Sequence, residues 1–135
     1  MIQGLNHITL AVSDLDRSLR FYREVLGLTG RVMWEKGAYL SAGSLWLCLS
    51  VDEVCEKADY THFAFSISNE SFSDFVEKLT LNGVPQWKSN SSEGYSVYFL
   101  DPDGHKLEAH AGDLHSRLKS LKSLKNIPYK NQQWL

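Results

Sequence analysis

The chain has 135 residues, 43% of them hydrophobic and 22% charged, with a formal net charge of -2. That length suits one domain with a core of its own, and the near-neutral charge excludes a general attraction to polyanions, so neither nucleic acid nor a membrane is an expected partner. No apolar run approaches a membrane span, and the opening "MIQGLNHITLAV" lacks both a basic start and a signal-type core, so a cytoplasmic location is expected.

In chain order, "NHITLAVSDLDRSLRFYREVLG" (Asn6 to Gly27) starts with a His in an alternating apolar stretch and continues as a helix. Leu15, Leu19, Tyr22 and Leu26 follow helical spacing. Ser13 and Asp16 read as a capping pair, and Gly27 as the C-terminal stop. "GAYLSAGSLWLCLS" (Gly37 to Ser50) gives two strands around a Ser-Ala-Gly turn. "SVDEVCEKAD" is a polar linker; Cys48 and Cys55 have no CxxC spacing and read as free thiols.

The order then repeats. "THFAFSISNESFSDFVEKLTLNG" (Thr61 to Gly83) again opens with a His in an alternating strand, and Phe72, Phe75, Val76 and Leu79 give the helical face before Gly83. "YSVYFLDPDGHKLEAH" (Tyr95 to His110) is two strands around Asp-Pro-Asp-Gly. A repeat of this length implies two similar modules packed together. The expected architecture is α+β, one domain over 1-135, with module one about 1-51, module two about 59-112, and a helical tail over 113-135.

Alternation sorts the strand residues onto two faces. One is aliphatic or Phe and suits packing under helices. The other collects His7, Thr9, Trp46, Cys48, His62, Ser96, Tyr98 and Glu108. A merely solvated face would be dominated by Lys and Glu, so the expected shape is a curved sheet whose inner surface is a pocket. His7 and His62 hold equivalent positions in the two modules, and a pseudo-twofold would bring both to one centre with an inward carboxylate. Two imidazoles and one carboxylate form a recurring divalent-metal set that leaves positions open. On spacing alone Glu108 and His110 compete as the third ligand, while His105 belongs to the turn.

"GLNHITLAVSDL", "GAYLSAGSLWLCLS", "DYTHFAF", "WKSNSSEGYSVYFLDPDGHKLEAH" and "GDL-SRL" together resemble the manganese-dependent fosfomycin-resistance glutathione transferases of the vicinal oxygen chelate superfamily. The resemblance covers most of residues 4 to 118. It implies two paired βαβββ modules around a metal-site pocket and a homodimer whose metal sites are shared between chains. His7 would come from one chain and His62 and Glu108 from the other, which favours Glu108 over His110. It also implies Mn2+ (other divalent metals being possible), K+, and glutathione as co-substrate.

The same resemblance assigns fosfomycin, a small epoxide with a phosphonate, to Lys88, Ser92, Ser96, Tyr98 and Arg117, with Thr9 beside it and Tyr39, Trp46, Cys48 and Tyr60 as pocket wall. Arg and Lys do pair well with phosphonate oxygens. Ser92, Glu93, Gly94 and Ser96 would form the potassium loop. Trp34, Lys36, Ser50 and Tyr129 fall where glutathione is expected, and Thr9 and Tyr39 are both candidates to assist thiol deprotonation. Phe63, Ser91 and Lys36 depart from the family's usual Tyr, Arg and Gln. The implied activity is addition of the glutathione thiol to the fosfomycin epoxide. The alternatives are another metal-dependent enzyme of the superfamily, such as a ring-cleaving dioxygenase or lyase, or a drug-sequestering binding protein.

Overall fold

The computed structural model describes residues 1-123 and 132-135. The first module runs β1 (Ile8–Val12), α1 (Leu15–Arg20), β2 (Thr29–Trp34), β3 (Gly37–Ala42) and β4 (Leu45–Val51). The second repeats the order as β5 (Phe63–Ser66), α2 (Asn69–Leu81), β6 (Gln86–Lys88), β7 (Tyr95–Leu100) and β8 (Lys106–Ala111), and α3 (Leu114–Leu121) follows. Each module has its own four-stranded sheet, in the orders β1-β4-β3-β2 and β5-β8-β7-β6. The expected curved surface is therefore made of two sheets. The first strand of each module lies parallel to its last, and the remaining pairs are antiparallel.

Local chemistry sets the helix ends. The cap of α1 is Asp14, whose carboxylate accepts from the Arg17 N–H at 3.1 Å. The expected Ser13–Asp16 pair does not form, because the Ser13 hydroxyl donates instead to Asp103 of the second module. Beyond Arg20 the helix widens into a π turn over Phe21–Val25, and Gly27 leaves it with φ +81°, a left-handed conformation that glycine adopts without a Cβ penalty. Ser68 caps α2 by accepting from the Ser71 N–H. Asp113 and Ser116 form a reciprocal capping box on α3.

The aliphatic faces of both sheets meet in one core. Leu10, Val12, Leu40, Leu47 and Leu49 of the first sheet join Val97, Phe99, Leu107 and Ala109 of the second, with Phe21 and Tyr22 from the π turn. Each such fully buried aliphatic side chain stabilises by about 1.5–3 kcal/mol. Phe99 is the hinge of the packing, 6.5 Å from Phe21 and 5.7 Å from Phe75 between ring centres.

Polar contacts, of which the Tyr22–Asp101 bond is buried, then fix the modules against each other. The Tyr22 hydroxyl donates to Asp101 at 2.7 Å. Asp103 accepts from Arg17 at 3.1 Å, and His105 Nε2 donates to the Ala11 carbonyl at 2.6 Å. The "DPDG" turn is thus also a clamp between modules. Because the aliphatic faces are used up in the core, both chemically rich faces point away from it.

Candidate active site

His62 stands just ahead of β5, and Glu108 lies in the middle of β8, the parallel neighbour of β5. His62 Nε2 is 3.4 Å from Glu108 Oε2. His62 Nδ1 lies 2.8 Å from the Tyr60 carbonyl. A carbonyl oxygen only accepts, so Nδ1 carries a ring proton, and in the neutral imidazole Nε2 is the lone-pair nitrogen on the side of the carboxylate.

Aromatic groups wall this pair. Tyr60 and Tyr98 have ring centres 4.9 and 6.1 Å from His62, and Trp87 stands 5.4 Å away. The Lys88 ammonium donates to the Tyr60 hydroxyl and sits 4.8 Å from the ring centres of both Tyr60 and Tyr98. The bond to Tyr60 holds its pKa above the ordinary lysine value, so Lys88 is a cation at neutral pH. Burial, and then the Glu108 carboxylate beside it, push the Tyr98 hydroxyl above the ordinary tyrosine value, so it stays protonated.

Farther along the same sheet, Ser96 is buried and hydrogen-bonded to His110 Nδ1. Arg117 of α3 reaches back, with Nε 3.3 Å from Glu93. Glu93 also lies 3.7 Å from His110. The loop before β7 is cinched by Asn90, which accepts from the Ser92 N–H and hydroxyl at 3.0 Å and donates to the Gly94 carbonyl at 2.9 Å. Gly94 has φ +75°, and a Cβ there would meet the Ala111 carbonyl at 2.9 Å. Glycine is therefore required where the loop crosses β8. His110, the rival ligand, is engaged with Ser96 rather than with the His62–Glu108 pair.

The other expected site residues gather on the first sheet. The exposed His7 ring packs on Trp46 at 4.4 Å, Trp46 on Tyr39 at 5.1 Å, and Tyr39 on Trp34 at 4.9 Å. Thr9 of β1 and Tyr39 of β3 both pair with Cys48 of β4, whose thiol is buried. Lys36 and Ser50 flank this row, and the Lys36 carbonyl accepts from the Val51 N–H at 2.8 Å. A Cβ on Gly37 would stand 2.6 Å from the Trp34 indole, so the missing side chain lets Trp34 fold over the turn. His7 Nδ1 is 2.7 Å from the Asn6 side-chain oxygen, which again leaves Nε2 as the lone-pair nitrogen. Tyr129 lies outside the described residues.

Within one chain the two clusters stay on separate sheets. Among the described residues, no three His, Cys, Asp or Glu side chains gather as a metal-ion site. The expectation that the pseudo-twofold itself brings His7 to the His62–Glu108 pair does not hold inside a single chain, because the modules pack through their aliphatic faces. The clefts in the chain do not replace this site. One of about 310 Å3 opens between the modules, lined by Thr9, Thr61, Phe63, His105 and Lys106 among others, but it includes neither His62 nor Glu108.

The donor set nevertheless fits a divalent ion. The His62 ring is oriented by an outer hydrogen bond through Nδ1 that leaves Nε2 as the ligating nitrogen, as is usual for metal-bound imidazoles. A separation of 3.4 Å from Glu108 is one that a single ion with bonds of about 2.1 Å to nitrogen and oxygen spans. His7 offers a second nitrogen fixed in the same way. Trp87 is the neighbour that alternation did not find: it precedes Lys88, and a regular strand would turn it to the opposite face.

Residues 4–109 match the Glyoxalase/Bleomycin resistance protein/Dioxygenase superfamily. The chain belongs to this superfamily. Within it, the chain is one of the fosfomycin-resistance proteins. It is 54% identical over 123 residues to a glutathione transferase FosA of Serratia marcescens, covering 87% of each. It is 39% identical over 132 residues to a metallothiol transferase FosB of Staphylococcus haemolyticus, covering 93% of this chain and 95% of the relative. The fold matches fosfomycin resistance protein FosX of Listeria monocytogenes with a TM-score of 0.81 and 33% identity, covering 89% of this chain and 99% of FosX. A glutamate-to-glutamine variant of that FosX, complexed with Mn(II) and 1S,2S-dihydroxypropylphosphonic acid, matches with a TM-score of 0.79 and 30% identity, covering 87% of this chain and 99% of the other.

Proposed function

We propose that this protein is a metal-dependent glutathione transferase that inactivates fosfomycin by adding the glutathione thiol to its epoxide. The site is completed between two copies of the chain, His7 coming from one and His62 and Glu108 from the other. The observation that carries the reading is the His62–Glu108 pair, its lone-pair nitrogen turned to the carboxylate at 3.4 Å under a cation, Lys88. The relative at 54% identity is named a glutathione transferase, and the Listeria FosX complex is named with Mn(II); both support glutathione as the thiol and manganese as the ion.

When bound, the divalent ion supplies Lewis-acid stabilisation of the oxygen that becomes an alkoxide as the ring opens. The chain's own residues do the rest. Lys88 and Arg117 attract the phosphonate, and Ser92, Ser96 and Tyr98 complete its hydrogen bonds. Tyr98 is kept protonated and so is able to donate. Ser92, Glu93, Gly94 and Ser96 hold potassium through hard oxygen atoms. Fixing the phosphonate fixes the epoxide carbon for attack from the far side. The row Trp34, Tyr39 and Trp46, with Lys36, Ser50 and Tyr129, receives glutathione. Tyr39 in that row and Thr9 on β1, which flank Cys48 from either side, are the candidates to accept or relay the thiol proton.

The direct test is incubation of the purified protein with fosfomycin and glutathione, with manganese and after chelation, followed by phosphorus NMR. A new phosphonate resonance that forms with manganese and vanishes with chelator is expected. Absence of adduct under both conditions would overturn the reading.

A further inference from the structure

Trp87 makes more contacts to the metal-ligand cluster than its place in the strand would allow if β6 were regular. Gln86 pairs with Phe99, yet Lys88 pairs with Tyr98. Two steps along β6 therefore match one step along β7, and Trp87 is the extra residue of a β-bulge. Bulges re-aim side chains and recur beside active sites. Here the bulge turns two successive residues to one face: the Lys88 ammonium lies 4.8 Å from the Tyr98 ring centre, and the Trp87 ring lies 5.3 Å from it.

The indole is also pinned. Its N–H donates to the Leu107 carbonyl at 3.0 Å, one residue before Glu108. Its ring centre is 5.4 Å from His62 and 5.7 Å from Tyr60, both in edge-on contact. The Lys106 ammonium covers it at 5.4 Å. One side chain thus touches His62, the Tyr60 that anchors Lys88, Tyr98, and the backbone of the strand that carries Glu108.

We propose that Trp87 is a positioning residue for the His62–Glu108 pair, a wedge that holds the imidazole edge and the β8 backbone at the spacing one divalent ion needs. The proposal rests on the reading of His62 and Glu108 as metal ligands. Groups that orient such ligands typically change metal affinity by ten- to a hundredfold when removed. Trp87→Leu abolishes the ring and the N–H together. Trp87→Phe keeps a ring in the same packing but loses the bond to Leu107.

The test is a manganese titration by electron paramagnetic resonance, without fosfomycin or glutathione, on full-length wild type and both variants, with circular dichroism and thermal melts alongside. Wild type is expected to bind manganese, Trp87→Leu to bind it ten- to a hundredfold more weakly, and Trp87→Phe to fall between. In turnover, kcat at limiting manganese should fall and recover with excess manganese, while KM for glutathione, held on the other sheet, stays unchanged. A purely architectural role would lower the melting temperature but leave the manganese affinity of the folded protein as in wild type. If either folded variant bound manganese within twofold of wild type, the proposal would be wrong; if Trp87→Leu did not fold, Trp87→Phe alone would decide it. Wild type that bound no manganese would overturn the functional reading, and this inference with it.

Discussion

His62, just ahead of β5, and Glu108, on the parallel neighbour β8, are 46 positions apart in sequence and present Nε2 and Oε2 to each other at 3.4 Å. Arg117 stands apart from them, reaching from α3 to Glu93. On the proposed roles, the His62–Glu108 pair holds the ion and Arg117 the anion, so the two are open to separate tests.

Glu108→Gln replaces a charged donor by a neutral one, so manganese affinity should fall and excess manganese should restore part of the activity. Arg117→Ala removes a charged partner of the phosphonate, an interaction of about 1.5–3 kcal/mol, or roughly a ten- to over hundredfold loss in kcat/KM. Added manganese should not repair that loss. The check is a manganese titration of adduct formation for both variants. Equal rescue of the two would contradict the division of roles.

Buried Tyr22 gives a stability signature. Burial first, then the Asp101 carboxylate, raise its pKa well above the ordinary value. In the unfolded chain the phenol ionises near pH 10, about the free tyrosine value. Above that pH the unfolded state has lost a proton that the folded state keeps, so stability falls as pH rises. The Tyr22 contribution is thus fully present below about pH 10 and is lost at more alkaline pH. Tyr22→Phe removes the donor to Asp101 Oδ2, while Oδ1 keeps the Asp103 and His105 N–H groups, and should cost about 1–3 kcal/mol at neutral pH. The gap between variant and wild type should narrow above pH 10 in urea unfolding. A gap that is constant with pH would refute the assignment.

The 90–94 loop is tied by Asn90 into a fixed shape, with hydroxyl and carbonyl oxygens beside Glu93. On the proposed reading this loop holds potassium, and a fixed set of oxygen donors would match one ion size better than another. Exchanging potassium for sodium at equal ionic strength should lower turnover and leave the melting temperature nearly unchanged. Equal initial rates in the two salts would remove the loop from the reaction.

Much of this was readable from the chain. Period-two alternation put His7 and His62 at the heads of equivalent strands and turned Glu108 away from the core, because residue identity and strand face are local properties. Gly27 and Gly83 marked helix ends for the same reason; both have positive φ. Three features depend on distant partners and were not readable. Ser13 reads as a cap, but its hydroxyl is taken by Asp103, 90 residues away. The place of Trp87 beside His62 has no local signature, because it depends on a bulge that breaks the regular ladder between β6 and β7. Alternation also assigns faces within a sheet without saying how two sheets are set against each other. His7 and the His62–Glu108 pair therefore looked like members of one centre in one chain, whereas the shared core keeps them on separate sheets.

The separation of His7 from the pair makes the shared site the central claim, and complementation tests it most directly. Chains carrying His7→Ala and chains carrying Glu108→Ala are purified separately, mixed after reversible unfolding, and isolated as mixed dimers by two affinity tags. Each parent should be inactive. The mixed dimer holds one site with both substitutions and one with neither, so it should regain manganese-dependent adduct formation. Mixed dimers of verified composition that remained as inactive as their parents would contradict the account.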